Sequence, residues 1–397
     1  MKRSRTSLVV ILVLCAIASV SPTRAAEPGE AGPSLEQLPV STVASTVPAK
    51  GDLNPYGVSI VPETQGRLQR GHILVSNFNN SSNLQGTGST IVQVSPAGEV
   101  TLFAQINASK LPGPCPGGVG LTTALVALRA GWVIVGSLPT TDGTAATAQA
   151  GCLIVLNSDG VPVTTFAGPK INGPWDMTAL DRGFDATLFF TNVLNGTVAA
   201  KGQVVNTATI VRLDLDLSGL PQARALTVIA SGLPARTDPA ALVIGPTGLG
   251  LSPTLNCGFF ARSPACDRDP FSRVATFADG RDAQMLYVAD TLNNRIGVIR
   301  YPLNRPESSV PVETLTSNGF LNGPLGLAVA PDGNILTVNG NDGFIAETTP
   351  DGRQIAHRLL DDTGSPPGAG ALFGLATVGN GAIYFVDDAS NTLNRLH

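Results

Sequence analysis

Several residue types that carry chemistry are scarce in this sequence. It contains three histidines, two tryptophans and three methionines in 397 residues, and only 14% of its residues are charged. The formal net charge is −4, and no basic cluster follows the N-terminal region. An acidic chain of this kind has no electrostatic reason to bind nucleic acid or anionic lipid. We therefore expect no nucleic-acid partner.

Helical periodicity and common enzyme motifs are also missing. After the N-terminal region no segment repeats apolar residues at helical spacing, and neither a Gly-x-Ser-x-Gly nor a Cys-x-x-Cys motif occurs. The chain instead has 44 glycines, 30 prolines and 43% apolar residues. This composition is typical of many short strands joined by tight turns, and it predicts an all-β protein.

The first residues have the pattern of a secretory signal. Lys2, Arg3 and Arg5 precede an apolar stretch over residues 7–20, and Ala25 offers a cleavage point. The stretch is too short to span a bilayer comfortably, and no later run is long enough to cross a membrane. We predict a signal peptide over residues 1–25 and a secreted or periplasmic chain.

Short apolar runs recur in sets of four along the rest of the chain. Six runs end on a small polar residue: ILVSN (73–77), WVIVGS (132–137), TLFFTN (187–192), MLYVAD (285–290), ILTVN (335–339) and IYFVD (383–387). Each follows a run that starts near a glycine and precedes a third run, and five units add a fourth. Six four-strand units with a period of roughly 40–60 residues predict one six-bladed β-propeller over residues 26–397.

The two ends of the chain predict how the ring closes. The sixth unit lacks a fourth strand because the chain stops at His397, whereas an unattached strand, PVSTVAST (39–46), precedes the first unit. An N-terminal strand that completes the last blade would remove the exposed sheet edges of an open ring. We expect this closure in a monomer.

Two stretches resemble NHL-repeat propellers: PLGLAVAPDGNILTVNGNDGFI, and LYVADTLNNRIGVI over residues 286–299. The family form has an Asp, a short turn, an Asn and an Arg before an apolar strand, and Arg295 matches that arginine only in the fourth unit. The family is defined by architecture, and its members bind proteins or RNA or act as enzymes. The resemblance therefore implies the fold and leaves the function open.

Four cysteines follow the signal: Cys115, Cys152, Cys257 and Cys266. An even number in an exported protein predicts disulfides, and zinc is the less suited alternative because Cys-x-x-Cys pairs are absent. Cys115 precedes the second unit and Cys152 opens its third strand, so both belong to one face of one blade. We predict a Cys115–Cys152 bridge and a Cys257–Cys266 bridge.

Candidate binding residues gather on one face of the predicted ring. The loops into each first strand and between each second and third strand open on that face. Candidates at the exits of the second strands are Asn77, Asn192, Asp290, Asn339 and Asp387, and candidates at the starts of the first strands are Tyr56, Trp175 and Asp176. Turn formation by Asn and Asp, and core packing by the aromatics, are the structural alternatives.

The enzymatic alternatives concern the same positions. In gluconolactonase-like propellers, Asn-Gly or Asp-Gly at the starts of the inner strands supplies calcium ligands. In this chain the residues before the equivalent glycines are Tyr56, Val119, Thr247, Leu325 and Phe373, and Asp176 replaces the glycine in the third unit. No histidine lies where it could act as a general base on the axis.

The sequence thus favours an exported binding module for a protein or small ligand, without a cofactor. The alternative is a metal-assisted, lactonase-like hydrolase or lyase. It would use calcium held by oxygen atoms of Asp176, Asn192, Asp290, Asn339 and Asp387 at the central channel.

Overall fold

The computed structural model describes residues 34–252, 274–275, 285–308, 310–379 and 381–397. The predicted signal peptide and the predicted Cys257–Cys266 bridge lie outside these residues. The described residues form 26 strands and two short 3₁₀ helices, Ala108–Lys110 and Ala145–Thr147. Six sheets contain these strands, with all main strands paired antiparallel, which confirms the predicted all-β, six-bladed propeller.

Four main strands build each blade, and their order runs from the innermost to the outermost strand. Blade 1 has β2 (Leu53–Ile60), β3 (Ile73–Asn79), β4 (Thr90–Val94) and β5 (Val100–Gln105); blade 2 has β6 (Leu121–Ala127), β7 (Val133–Ser137), β8 (Cys152–Leu156) and β9 (Pro162–Phe166); blade 3 has β10 (Pro174–Asp181), β11 (Asp185–Asn192), β12 (Val205–Asp216) and β13 (Gln222–Asp238). Two short strands, β14 (Leu242–Ile244) and β16 (Val274–Ala275), add to blade 3.

The remaining three blades follow the same order. Blade 4 has β15 (Pro246–Leu251), β17 (Met285–Asp290), β18 (Arg295–Arg300) and β19 (Glu313–Ser317); blade 5 has β20 (Pro324–Val329), β21 (Ile335–Asn339), β22 (Phe344–Thr348) and β23 (Gln354–Leu359); blade 6 has β24 (Leu372–Thr377), β25 (Ile383–Asp387), β26 (Thr392–Leu396) and β1 (Val40–Ser45).

The first strand of the chain closes the ring. β1 pairs antiparallel with β26, with Val40 opposite Leu396 and Ser45 opposite Thr392. Val43 and Ala44 pack against the largest hydrophobic cluster, so closure joins strand pairing to apolar burial. The predicted N-terminal closure of the last blade is therefore confirmed.

Glycines let neighbouring inner strands approach closely. A Cβ atom at Gly326 would collide with the carbonyl oxygen of Phe373, and one at Gly374 would collide with that of Tyr56. Gly57 lies against the carbonyl of Thr122, so Thr122, and not the predicted Val119, stands beside the inner-strand contact in blade 2. The sequence pattern indicated Gly120 as the equivalent glycine, but Gly120 precedes the strand.

Buried side chains fill the spaces between adjacent blades. In one such layer Val126, Ile134 and Val155 of blade 2 face Leu188 and Val211 of blade 3, all fully buried. Burial of an aliphatic side chain contributes about 1.5–3 kcal/mol. Each blade therefore depends on its neighbour to bury the apolar side chains between them. None of the helices in the described part of the chain is long and apolar enough to span a bilayer.

The Cys115–Cys152 disulfide is present, with Cα atoms 5.1 Å apart. Cys152 begins β8 and lies opposite Ser137 at the end of β7, so the bridge joins this point to the segment that leads into blade 2. This prediction is confirmed.

Candidate functional site

One face of the ring, named the upper face, carries the ends of the second strands and the starts of the first strands. In blade 1 these meet directly, because Leu53 at the start of β2 pairs with Asn79 at the end of β3. The loops from second to third strands span 80–89, 138–151 and 193–204 in blades 1 to 3 but only 291–294, 340–343 and 388–391 in blades 4 to 6. The long loops thus lie on one half of this face.

Most of the predicted polar residues on this face fasten a blade to the segment that leads into it. Asn192 Oδ1 accepts from the backbone N–H groups of Asn172 at 3.1 Å and Gly173 at 2.7 Å. Asn77 Nδ2 donates to the Thr46 carbonyl at 3.1 Å, and Asn339 Nδ2 donates to the Phe320 carbonyl at 2.9 Å. All three amides are fully buried and engaged by backbone.

Ser137 makes the same connection in blade 2. Its hydroxyl donates to the Gly118 carbonyl at 2.9 Å and accepts from Gly120 N–H at 3.0 Å. The recurrence of a polar residue at this position therefore has a structural cause in blades 1, 2, 3 and 5, where its side chain holds the incoming segment by hydrogen bonds.

Asp290 departs from this arrangement. Its Oδ2 accepts from Asn293 Nδ2 at 2.8 Å and from Arg295 Nε at 2.8 Å, and the carboxylate is fully buried. Asp290, Asn293 and Arg295 together hold the β17–β18 turn. The arginine that resembles the NHL pattern thus pairs with the buried acid of its own hairpin.

Asp387 forms the connection in blade 6 through a second acid. Its side chain hydrogen-bonds that of Asp361, which lies in the segment leading into blade 6, and Oδ1 accepts from Ser390 N–H at 3.1 Å. Burial raises the pKa of Asp387, and the charge of Asp361 raises it further. Two carboxyl groups can hydrogen-bond only when one keeps a proton, so this contact depends on pH.

Replacing Asn192 with alanine should destabilise the chain by about 1–3 kcal/mol, because two buried N–H groups lose their acceptor. Urea unfolding followed by circular dichroism measures this change. Gln203→Ala is the matched control, since Gln203 is exposed and lies in the same loop region. Equal stability of both variants would contradict the role given to Asn192.

The predicted aromatic residues form one packed cluster at the upper end of the inner strands. Tyr56 stacks on Phe78 with ring centres 4.4 Å apart and on Phe373 at 4.0 Å, and Trp175 meets Tyr56 edge-on at 6.0 Å. Tyr56 and Trp175 are 2% exposed, and Phe373 is 8% exposed. A ligand on this face would reach Phe373 more easily than Trp175.

Loops of blades 2 and 3 and the segment after β13 pack against this cluster, and the blade 1 loop contacts them through Gln85 and Gly86. We name residues 80–89, 138–151, 193–204 and 239–244 the roof. Its apolar side chains belong to the same packed cluster as Tyr56, Phe78, Trp175 and Phe373: Leu138, Ala145, Ala148, Val193, Leu194, Val198, Leu242 and Val243. Within the described residues, the short turns of blades 4 to 6 add no apolar side chain to this cluster.

Asp176 is buried between blades 3 and 4. It is 1% exposed, its Oδ2 accepts from Leu249 N–H at 3.2 Å, and its own N–H donates to Thr191 Oγ1 at 2.9 Å. It occupies the position of Gly326 and Gly374 in the other blades, and its carboxylate contacts the neighbouring inner strand.

The most unusual polar group lies where blade 6 meets blade 1. We name Asn54, Tyr56, Asn79, Asp388 and Asn391 the seam cluster. With the Asn54 amide oriented so that both of its polar atoms find partners, its nitrogen donates to Asp388, 2.9 Å from Oδ2, and its oxygen accepts from Asn79 Nδ2 at 3.1 Å. Asn54 N–H donates to Asn391 Oδ1 at 2.8 Å.

In the seam cluster, two asparagines have a strained backbone conformation, and the acid Asp388 has a raised pKa. Asn54 and Asn391 have φ values of 64° and 55°, in the left-handed region that side chains other than glycine enter at some cost. Burial raises the pKa of Asp388 to about 7, and the charge of Asp387 adds to this effect. Burial also raises the pKa of Tyr56, with a further contribution from Asp388.

Asp388 and Asn54 were not among the residues predicted from the sequence. The signal was present in the sixth unit, which ends its second strand with two acids, FVDD, where the fourth unit has one. Asn54 stands two residues before Tyr56, where an asparagine is typical of a turn. Their contact joins positions at opposite ends of the chain.

Nearby protein groups engage the residues proposed as calcium ligands. Asn192, Asp290, Asn339 and Asp387 lie in four different blades, each bonded to groups nearby in its own blade or incoming segment. Within the described ranges, no group of three or more His, Cys, Asp or Glu side chains is arranged to hold a metal ion.

Comparisons with known proteins agree with the architecture. No protein-family model and no curated protein matches the chain. Solved structures similar to it include a calcium-binding protein, regucalcin, from Agrobacterium tumefaciens, 12% identical over 90% of this chain and 94% of that one, with a TM-score of 0.51. A gluconolactonase from Xanthomonas campestris is 13% identical over 90% and 88%, with a TM-score of 0.50.

A luciferin-regenerating enzyme is also similar, with 12% identity, 90% and 95% coverage, and a TM-score of 0.51. At this level of identity the likeness shows the six-bladed propeller fold alone.

Proposed function

We propose that the chain is a binding module for a small, hydroxyl-bearing ligand, and that the seam cluster on the upper face is its site. The observation that carries the proposal is the contact of Asp388 with the Asn54 amide, on the side of the aromatic cluster that bears the short turns. Carboxylate and amide groups donate to and accept from hydroxyls, and Phe373 offers an apolar surface nearby. A few polar groups beside an aromatic surface are typical of small-ligand sites.

The left-handed Asn54 and Asn391 support this proposal. Each keeps a strained backbone at the point where the ring closes, and strain of this kind occurs at functional sites when the surrounding structure enforces it. Asp388 is partly exposed, so solvent reaches it, whereas the amides of Asn54 and Asn79 are buried beneath it. The site thus has one accessible acid supported by buried amides.

The proposal is tested by binding of a panel of monosaccharides, polyols and their aryl derivatives, followed by calorimetry. We expect at least one to bind, and Asp388→Ala to weaken binding about tenfold or more, since a hydrogen bond to a charged group contributes about 1.5–3 kcal/mol. Asp351→Ala is the control, because Asp351 is an exposed turn residue after β22. Equal binding by both variants would reject the seam cluster as the site.

Hydrolysis of a lactone is the second candidate. It is favoured by the raised pKa of Asp388, since a carboxylate with a pKa of about 7 suits proton transfer near neutral pH, and by the fold shared with a gluconolactonase. Asp388 would take a proton from water as the water oxygen attacks the lactone carbonyl. The ring C–O bond then breaks, and the ring oxygen receives the proton as a hydroxyl.

Turnover of lactones and aryl esters, with and without EDTA and added divalent ions, separates the two candidates. We expect no chelator-sensitive turnover. Chelator-sensitive turnover that Asp176→Ala abolishes would favour a metal-assisted enzyme. Turnover that is insensitive to EDTA and lost in Asp388→Asn would favour the second candidate.

Export and a monomeric state remain part of the proposal. The Cys115–Cys152 disulfide is compatible with an oxidising compartment. Calorimetric stoichiometry from the same binding experiments, together with light scattering, tests the monomer.

A further inference from the structure

A few hydrogen bonds connect the segments of the roof that come from different blades. Gln85 Nε2 donates to the Ala240 carbonyl at 3.1 Å, which connects the blade 1 loop to the segment between blades 3 and 4. Thr140 N–H donates to the Gly86 carbonyl at 2.9 Å, which connects the loops of blades 1 and 2. Gln85 is therefore a bridge across the upper face.

The disulfide lies at the base of the blade 2 part of the roof. This loop runs from Leu138 to Gly151, and Cys152 follows it directly. On the other side of the bridge, Cys115 begins the turn from which Gly117 N–H donates to the Ala150 carbonyl at 2.7 Å. The bridge thus fixes the end of the loop that carries Leu138, Ala145 and Ala148 over the aromatic cluster.

Apolar contacts alone would leave the roof able to separate from the ring. It contacts the ring through small and medium aliphatic side chains, and apart from β14, which joins the sheet of blade 3, and the 3₁₀ helix Ala145–Thr147, it consists of loops. Local opening of such surface loops costs less than global unfolding. A covalent constraint at the loop base raises the cost of opening, because it removes conformations from the open state.

We propose that the Cys115–Cys152 disulfide keeps the roof closed over Trp175 and Tyr56, and that its reduction opens the roof while the ring stays folded. The inference rests on the proposed function in one respect: opening would extend the site to ligands with a flat apolar part. Reduction takes two electrons and two protons from a dithiol. The S–S bond breaks, two cysteine thiols form, and the dithiol becomes a disulfide.

Acrylamide quenching of tryptophan fluorescence tests the opening without any ligand. The chain has two tryptophans, so Trp132→Phe leaves Trp175 as the single reporter. In the Trp132→Phe background, Cys115→Ser with Cys152→Ser should raise the quenching constant about twofold or more, while the β-sheet circular dichroism stays unchanged, as expected for local opening. An unchanged constant, or a rise only together with loss of the β-sheet signal, would overturn the proposal.

Gln85→Ala provides a second variant that leaves every cysteine in place. It should raise the same constant in the Trp132→Phe background, because it removes the bridge to Ala240. If the cysteine variant does not fold, dithiol treatment of the Trp132→Phe chain replaces it, and an unchanged constant under both treatments overturns the proposal. Dithiol added to the folded cysteine variant controls for reduction at other cysteines.

Ligand binding forms a separate arm. Phenyl glucoside and glucose are compared with oxidised and reduced protein. If the roof opens, the phenyl glycoside should gain affinity on reduction relative to glucose. Opening seen by quenching, together with no binding of either probe, would reject the proposed function but not the opening of the roof. Binding without any change in quenching would reject only the opening of the roof.

Discussion

Removal of β1 should cost the protein most of its stability. A chain that starts at Val47 loses the strand that pairs with β26 and the apolar contacts of Val43 and Ala44 with the largest cluster. Domains of this kind are stable by only about 5–15 kcal/mol, so loss of a whole strand with its burial removes a large share. We expect aggregation through the exposed edge of β26, or a strongly lowered melting temperature.

Point variants in β1 distinguish the loss of its buried contacts from an unspecific effect of changing the N-terminal segment. Val43→Asp places a charge against the main cluster, whereas Val40→Asp changes a side chain that is 40% exposed. The first should destabilise by about 2–4 kcal/mol and the second by less than about 0.5 kcal/mol. Thermal unfolding of both, beside the shortened chain, checks the prediction. If the shortened chain melted like the full one, β1 would not close the ring.

Asp387→Asn should stabilise the protein at pH 8 by about 1–2 kcal/mol and leave it unchanged near pH 4. Asn occupies this position in blades 1, 3 and 5, where its amide holds the incoming segment without needing a proton. In the wild type, the hydrogen bond between Asp387 and Asp361 holds only while one acid is protonated. The amide supplies that donor at every pH.

The direction of this pH dependence follows from the raised pKa of Asp387. Burial, then the charge of Asp361, raises the pKa of Asp387 in the folded chain, so the native state binds more protons than the unfolded one above about pH 4. The free energy of unfolding of the wild type therefore falls as pH rises through the raised value. Below that window both states are protonated, and the difference from the variant disappears.

Urea unfolding at pH 4, 6 and 8 measures this difference. The reverse substitution in blade 5, Asn339→Asp, is the matched control. It should destabilise by about 1–3 kcal/mol at pH 8, because a carboxylate would face the Phe320 carbonyl. A gain for Asp387→Asn that is the same at pH 4 and pH 8 would contradict the shared proton.

The sequence predicted much of the fold because the relevant signals are local and repeat. Each blade is marked by alternating apolar runs and by a polar residue at the exit of its second strand, such as Asn77 and Asn192. The position of the disulfide followed from the same count, since Cys115 and Cys152 fall on one face of one blade. Hairpin contacts, such as Asn293 with Asp290, join residues three apart and can be predicted from turn chemistry.

The site could be predicted only in part. The sequence indicated the face that carries the seam cluster and the aromatic residues Tyr56 and Trp175, but it selected Asp387 where the structure brings the neighbouring Asp388 to Asn54. It also gave no sign that the long loops of blades 2 and 3 pack against those aromatics. Burial of this kind depends on loops from different blades, and no local pattern encodes it.

The sequence by itself determined the number of blades, their order and the strand that closes the ring, because strand periodicity and turn residues act over a few neighbouring positions. Only the tertiary structure decided which polar side chains hold segments together, that Asp361 and Asp387 share a hydrogen bond, and that Asp388 meets Asn54. These contacts join residues up to hundreds of positions apart, and closure of the ring brings them within hydrogen-bonding distance and removes them from water.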